Sequence, residues 1–375
     1  MSLYYYCKGW RPYLPNLKIL ALGGDGIGPE ILKQALRLVN HLAKKTRLPI
    51  NVDHDLLHGA SYDVHRTFCT SDVLKKARAA HAVLVGAVGG PKWDDIRMPG
   101  GAECQDGLMH LRYHLKTYLG LRPAKAWKEL LPIIPFRPEV VAGADILVLR
   151  EMCGGAMFAT QRGQTFSAGK RQGFDMTAYD EDEVARFARG GFELARRRRK
   201  RLTSCDKSNV MESYKLWRCI VDEVAKDYPD ISLQHLLADN CAYQMMMRPS
   251  EFDVVIACNQ LGDIFSDLTG TLAGSLGMLP SACLASNPAE GPAFGIYEST
   301  SGSAIDIARK GIANPVGMIL SAAMMFEYTF ALPDLRLAVE DAIEKTLADG
   351  IGTPDIGGDA SSTEMTDAIL KRVDT

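Results

Sequence analysis

A short apolar run, Leu17 to Leu22, leads directly into the turn Gly23-Gly24-Asp25-Gly26-Ile27-Gly28, and Pro29 follows where a first helical residue belongs. Closely spaced glycines permit positive φ and a sharp reversal. Proline at the start of a helix has its φ already set. Ile31, Ala35, Leu38, Val39 and Leu42 then recur at helical spacing. The chain thus begins as strand, tight turn and amphipathic helix, and the same alternation returns further on. His81 to Val88, Ile146 to Leu149 and Val254 to Ala257 read as short buried strands. Helical patterns lie at Asp72 to Ala80, Leu108 to Leu119, Glu181 to Arg198 and Val210 to Lys226. Strands alternating with helices predict an α/β protein on a mainly parallel sheet. The 375 residues suit two domains. No repeat or low-complexity tether divides the sequence, so any domain boundary crosses packed structure.

A formal charge of -2 and a pI near 6.5 give no long-range pull toward nucleic acid or an anionic membrane. No apolar run is long enough to span a bilayer. Nine cysteines, without CxxC pairs, suit free thiols in a reducing compartment rather than a disulfide framework or zinc site. The segment Met1 to Asn16 lacks the apolar core and small-residue cleavage site of a secretory signal. We expect a short extension on a cytoplasmic protein rather than a mitochondrial leader. Arg196 to Arg201 is uniformly basic. It ends the stripe Val184, Phe187, Ala188, Phe192, Ala195, so the run is expected to complement a helix C-terminus rather than to bind nucleic acid.

The glycine turn is out of register with G-x-G-x-x-G, and alone it is as much a structural turn as a cofactor loop. The segment Leu261-Gly262-Asp263-Ile264-Phe265-Ser266-Asp267 is more informative. On a helix its aspartates share a face, about 5–6 Å apart at Cβ. Two such carboxylates among Leu261, Ile264, Phe265 and Leu268 favour a cation between them, and hard oxygen ligands suit Mg2+ or Mn2+. Asp239 is a candidate third carboxylate. Three arginines are candidate carboxylate clamps: Arg112, on one helical patch with Leu108 and Met109; Arg122; and Arg150, at the end of a buried strand. Lys207, near a divalent ion, would be pushed toward the neutral base that accepts a hydroxyl proton.

Together these stretches resemble the 3-isopropylmalate dehydrogenases of the β-decarboxylating dehydrogenase family, which also includes isocitrate, homoisocitrate and tartrate dehydrogenases. The resemblance runs from about Leu17 to the C-terminus. It rests on Gly24-Asp25-Gly26-Ile27-Gly28-Pro29-Glu30, Gly86-Ala87-Val88-Gly89-Gly90-Pro91-Lys92-Trp93, Asp206-Lys207-Ser208-Asn209, Gly262 to Asp267 and Gly311-Ile312-Ala313-Asn314-Pro315. It implies a two-domain fold that is not a Rossmann dinucleotide unit. A discontinuous large domain would span 1–117 and 274–375, with a smaller dimerising domain over 118–273. It implies NAD, Mg2+ or Mn2+, a substituted malate as substrate, and a homodimer with shared active sites. Arg112, Arg122 and Arg150 would grip the malate carboxylates; Asp263, Asp267 and the partner's Asp239 would hold the metal; the partner's Lys207 would be the base, Asp239 sharing its catalytic setting. Gly302, Ser303, Ala304, Asp306 and Ile307 would form the adenosine loop, with Gln105, Glu298 and Asn314 also contacting cofactor. A carboxylate at Asp306 favours NAD over NADP. Leu108 and Met109 would line the pocket for the C3 substituent, and an apolar pair prefers an alkyl or aryl group there.

Four positions depart from the family pattern. Met157 stands where a tyrosine thought to protonate the enolate is usual, and a thioether donates no proton. Gln105 replaces a nicotinamide-contacting glutamate, Ser301 a histidine, and Cys258 an acidic or small residue. The resemblance therefore implies a divergent paralogue, either an enzyme for a different 3-substituted malate or a non-catalytic subunit. The completeness of the arginine, aspartate and lysine set favours the enzyme.

Overall fold

We describe the protein from a computed structural model, covering residues 16 to 373. The segment before residue 16, on which the leader expectation falls, lies outside the described residues. The chain opens with β1 (Leu17–Gly24), α1 (Gly28–Thr46), β2 (Ile50–Asp55), α2 (His58–His65), α3 (Ser71–Ala79) and β3 (Ala82–Ala87). It continues with α4 (Gly107–Leu115), β4 (Leu119–Lys125), α5 (Pro138–Val141), β5 (Asp145–Glu151) and an exposed hairpin, β6 (Arg162–Ser167) and β7 (Lys170–Asp175). Next come α6 (Glu181–Arg196), β8 (Arg201–Asp206), α7 (Glu212–Ala225), β9 (Ser232–Leu237), α8 (Ala238–Met247), β10 (Val254–Ala257) and α9 (Asn259–Ala273). The chain closes with β11 (Pro280–Leu284), β12 (Gly295–Ser299), α10 (Val316–Tyr328), α11 (Pro333–Ala348) and α12 (Ser362–Val373). Among the described residues no helix is long and apolar enough to cross a membrane.

Ten strands form one sheet in the order β2-β1-β3-β12-β11-β4-β5-β10-β8-β9. Two parallel blocks, β2-β1-β3-β12 and β5-β10-β8-β9, flank the antiparallel pair β11 and β4. The sheet is therefore mainly parallel, as the strand–helix alternation predicts. Its two blocks run in opposite directions, so the centre of the sheet is where their crossover connections part.

The predicted stripes are buried: Ile31, Ala35, Leu38, Val39 and Leu42 on α1, and Val184, Phe187, Ala188, Phe192 and Ala195 on α6, are all 0% exposed. With α10 they cover one face of the sheet alongside Leu119, Leu121, Leu147 and Leu149. The opposite face carries Val148 with Phe265 and Leu272 of α9, and Cys283 and Ile296 with Leu108 and Leu111 of α4.

One expected helix is shorter than its pattern. Leu108 to Leu119 breaks at Lys116, which adopts the left-handed φ of 54°, and Leu119 opens β4. The basic run also has a different explanation. Only Arg196 lies in α6. Arg198 and Arg199 converge on the buried Asp253, at 2.8 and 3.7 Å, and Arg196 and Lys200 on Asp230, at 2.8 and 3.3 Å. The run is a set of ion pairs closing the turn into β8, more than a complement to the helix dipole.

Candidate active site

Strand register sets the site. Arg150 pairs with Gly120, Gly120 with Cys283, Arg122 with Val148, and Ser281 with Glu298. Residues opposite each other across a ladder share a face, as do residues two apart along a strand. Arg122, Arg150, Cys283 and Glu298 therefore project from one face of the sheet, the face covered by α4 and α9. Gly120, opposite Arg150, leaves space there: a Cβ would lie 2.7 Å from the Met152 sulfur.

Helix α9 brings the aspartates to this face. Its own Cys258 caps it, the thiol sulfur accepting from Leu261 N–H at 3.5 Å. Gly262 packs against Arg150, where a Cβ would approach the Arg150 Cα to 2.9 Å. Asp263 is thereby ion-paired to Arg150 and lies 3.4 Å from Arg122, with Asp267 3.9 Å from Arg122. Arg122 also donates to Ser266 Oγ at 3.0 Å, and Arg150 Nε to Asn259 Oδ1 at 2.9 Å. Arg112, on α4, pairs with Glu298 in the interior.

All three arginines are at least 93% buried, and two of them keep a buried Nε–H without a partner: Arg112 and Arg122. Such orphans are rare and call for a ligand or a reason. Burial, the neighbouring Arg122 and, less strongly, Arg112 draw Arg150 down to about 10, against the pull of Asp263. Burial pulls Arg112 down too, but Glu298 more than reverses it and leaves the guanidinium raised. The cluster sets three guanidiniums against three carboxylates, Glu298, Asp263 and Asp267, so an added divalent cation would give it the positive surplus that suits a dianion. The Asp267 carboxyl, though exposed, is pushed up by partial desolvation and by Asp263, against Arg122. A carboxyl whose ionisation a neighbouring carboxylate opposes is what a hard cation relieves.

Lys207 and Asp239 follow the adjacent strands β8 and β9, and their side chains pair with each other, which lowers the Asp239 carboxyl. Among the described residues no three His, Cys, Asp or Glu side chains gather closely enough to hold an ion. The structure therefore brings together Arg122, Arg150, Asp263 and Asp267, with Arg112 and Glu298 beside them, and leaves Lys207 with Asp239 as a separate pair.

Helix α4 starts at Asp106, whose Oδ1 accepts from Leu108 and Met109 N–H at 2.8 Å each. Leu108 is buried and Met109 half-buried, on the same first turn. Met157 lies on the loop after β5, and Arg150 Nη2 donates to its sulfur at 3.3 Å. Gln105 turns into its own loop, its amide bonding Met98 N and O at 3.1 and 2.8 Å. A cleft of about 1230 Å³ opens beside it, lined by that loop, Tyr113, Cys153 to Gly155 and the β6–β7 hairpin.

The loop Gly302 to Ile307 faces the first glycine turn. Ile27 N–H donates to Ser303 O at 2.8 Å, and a Cβ on Gly26 would fall 1.8 Å from that oxygen. The glycines of the turn thus serve close backbone approach. Gly302 has φ of 65° with open space beside it, and Asp306 is exposed. Asn314 is buried, donating to Asp355 and accepting from Val316 N–H, both at 3.0 Å. Ser301 accepts from Ser299 at 2.9 Å.

Sequence reading missed Asn259, Ser266 and the Arg112–Glu298 pair. Asn259 and Ser266 sit on the acidic helix already singled out, one turn either side of Asp263, and could have been found by that spacing. Glu298 reaches Arg112 across 186 residues through strand pairing, with no local signal.

A sequence profile of the isocitrate/isopropylmalate dehydrogenase family matches residues 18–369. The chain is 46% identical over 358 residues to a 3-isopropylmalate dehydrogenase of Xanthomonas oryzae pv. oryzae, covering 94% of this chain and 98% of that one. It is 44% identical over 365 residues to a 3-isopropylmalate dehydrogenase of Aquifex aeolicus, covering 96% and 98%. Among solved structures, an isocitrate dehydrogenase from Methylococcus capsulatus superposes with a TM-score of 0.83 at 29% identity, over 96% of this chain and all of that one.

Proposed function

The chain belongs to the isocitrate/isopropylmalate dehydrogenase family, and on that premise we propose that it oxidises and β-decarboxylates a malate bearing an alkyl or aryl group at C3. The hydride acceptor is NAD, and the working form is a cytoplasmic homodimer. One observation supports this most: of three buried guanidiniums, two with an unpartnered Nε–H, Arg122 and Arg150 meet Asp263 and Asp267, and Arg112 shares a helix with the apolar Leu108 and Met109. The donor set fits Mg2+ or Mn2+ once Asp239 of the partner subunit completes it.

When bound, the cation and the nicotinamide supply Lewis acidity at the C2 oxygen and take up the hydride. The protein's residues do the rest. Arg112, Arg122 and Arg150 hold the malate carboxylates and fix C2 and C3. The partner's Lys207 takes the hydroxyl proton on Nζ. Leu108 and Met109 receive the C3 substituent and disfavour a third carboxylate, which they would desolvate without a partner. Asp306 disfavours a 2′-phosphate. At the last step, protonation of the enolate, the Met157 thioether has no proton to give.

The purified chain should reduce NAD+ with Mn2+ and at least one member of a panel of 3-alkyl and 3-arylmalates, NADH and CO2 being followed separately. EDTA and Asp263→Asn should each abolish turnover. Activity that survives both would overturn the proposal. Met157 favours a second reading, a non-catalytic subunit; no NADH with any member of the panel would support it.

A further inference from the structure

His58 is the first residue of α2, yet it has φ of 54°, the left-handed region that side chains with a Cβ rarely adopt. It is 6% exposed, stacked on Phe68 at 4.4 Å and 7°, with Trp93 edge-on at 6.4 Å. A strained, buried imidazole needs a reason, and its ring nitrogen shows one. Gly107 N–H donates to His58 Nδ1 at 3.2 Å.

Gly107 is the first residue of α4, and a helix leaves its first four N–H groups without internal partners. Three of these donors have side-chain acceptors: Leu108 and Met109 donate to Asp106 Oδ1, and Gly107 donates to His58, before His110 makes the first internal bond, to Asp106 O. His58 thus completes the cap from 49 residues away. Asp106 Oδ2 also lies 3.3 Å from the same nitrogen, so His58 contacts both the first residue of α4 and its capping residue.

The first turn of α4 is where Leu108 and Met109 lie, and Arg112 follows one turn later. We infer that His58 is a positioning residue for the C3-substituent pocket, holding the start of α4 in place through Gly107. The inference rests on the function proposed above for what it says about substrate.

Two variants separate this role from a merely structural one. His58→Gly relieves the backbone strain but removes the acceptor. His58→Asn keeps both features, since asparagine tolerates left-handed φ and its Oδ1 stands the same number of bonds from the backbone as Nδ1. Hydrogen exchange across residues 104–112 reads the cap, and steady-state kinetics with 3-isopropylmalate, Mn2+ and NAD+ read its consequence. In His58→Gly the first-turn amides should exchange about five- to tenfold faster, and the KM for 3-isopropylmalate should rise by a similar factor, the loss of one buried hydrogen bond. The kcat and the KM for NAD+ should stay within about twofold, and His58→Asn should restore both readouts. Unchanged exchange in His58→Gly, or faster exchange with an unchanged KM, would overturn the inference. If the wild-type protein turns over no substituted malate, the proposed function fails, and exchange alone then decides whether His58 holds α4.

Discussion

Met157 sets a prediction at the scale of one side chain. Its sulfur accepts from Arg150 and donates nothing, so enolate protonation depends on water or on a group the loop does not supply. A positioned acid contributes about 10² to 10⁴ to such a step. Met157→Tyr should therefore accelerate formation of the protonated 2-oxoacid by up to that range while changing the single-turnover rate of NADH formation less; equal rates of 2-oxoacid formation in variant and parent would count against it. Glu151 makes a second. It is buried beside the Cys153 and Gly154 N–H groups, at 2.9 and 2.7 Å, and burial pushes its carboxyl up from 4.5 to about 7 despite them. Between those values the folded protein holds a proton that the unfolded chain has released. The group's contribution to stability is thus complete below about pH 4.5 and is lost as pH rises through 7, roughly 3 kcal/mol in total. Urea midpoints from pH 4.5 to 8 should show a flatter profile for Glu151→Gln than for the parent. At pH 5 the variant should be the less stable by about 1–3 kcal/mol, because its amide N–H now faces a backbone donor. At this scale Asp263 and Asp267 were legible in the sequence, since their spacing and apolar neighbours are local. Neither the fully buried setting of Glu151 nor the left-handed His58 was, since each depends on what distant segments place around it.

Helix α9 is seated on β5 through a glycine, and that contact sets where Asp263 points. Gly262→Ala gains about 1 kcal/mol in helix propensity, but its Cβ meets Arg150 Cβ at 2.7 Å and Cα at 2.9 Å. Backbone cannot retreat as a side-chain end can, and overpacking of this kind costs about 1–3 kcal/mol. A net loss of up to about 2 kcal/mol is expected in urea unfolding, with a larger proportional fall in kcat/KM because Asp263 moves with the helix. A stabilised Gly262→Ala would show that α9 does not bear on the strand. Elements were legible where one face is apolar, as in α1, α6 and α9. They were not where both faces are polar or the period changes mid-run. β2 and β9 are half-exposed edge strands whose alternation lasts only about four residues, and the β6–β7 hairpin is exposed throughout, so none offers more than a weak pattern to read. α4 and β4 were merged because Leu115, Tyr118, Leu119 and Leu121 carry apolar character across the break at Lys116.

For the whole molecule, the separation of the two acidic groups is decisive. Asp263 and Asp267 sit with the arginines, Asp239 sits with Lys207, and among the described residues no third ligand joins either within one chain. If each working site draws one group from each of two subunits, single-site variants on opposite sides of the interface must complement. Lys207→Met and Asp263→Asn should each be inactive as purified homodimers. In a mixed dimer one site receives both lesions and the other receives neither, so half of its sites are intact. Co-refolding equal amounts gives about half mixed dimers by random pairing, hence about a quarter of wild-type activity. Simple mixing without subunit exchange should give none. Sites complete within one chain could not produce this recovery, because every site would then carry one lesion whatever the pairing. Silence after confirmed exchange would accordingly rule out the shared site, whereas the quarter-activity recovery requires Lys207 to act across the interface.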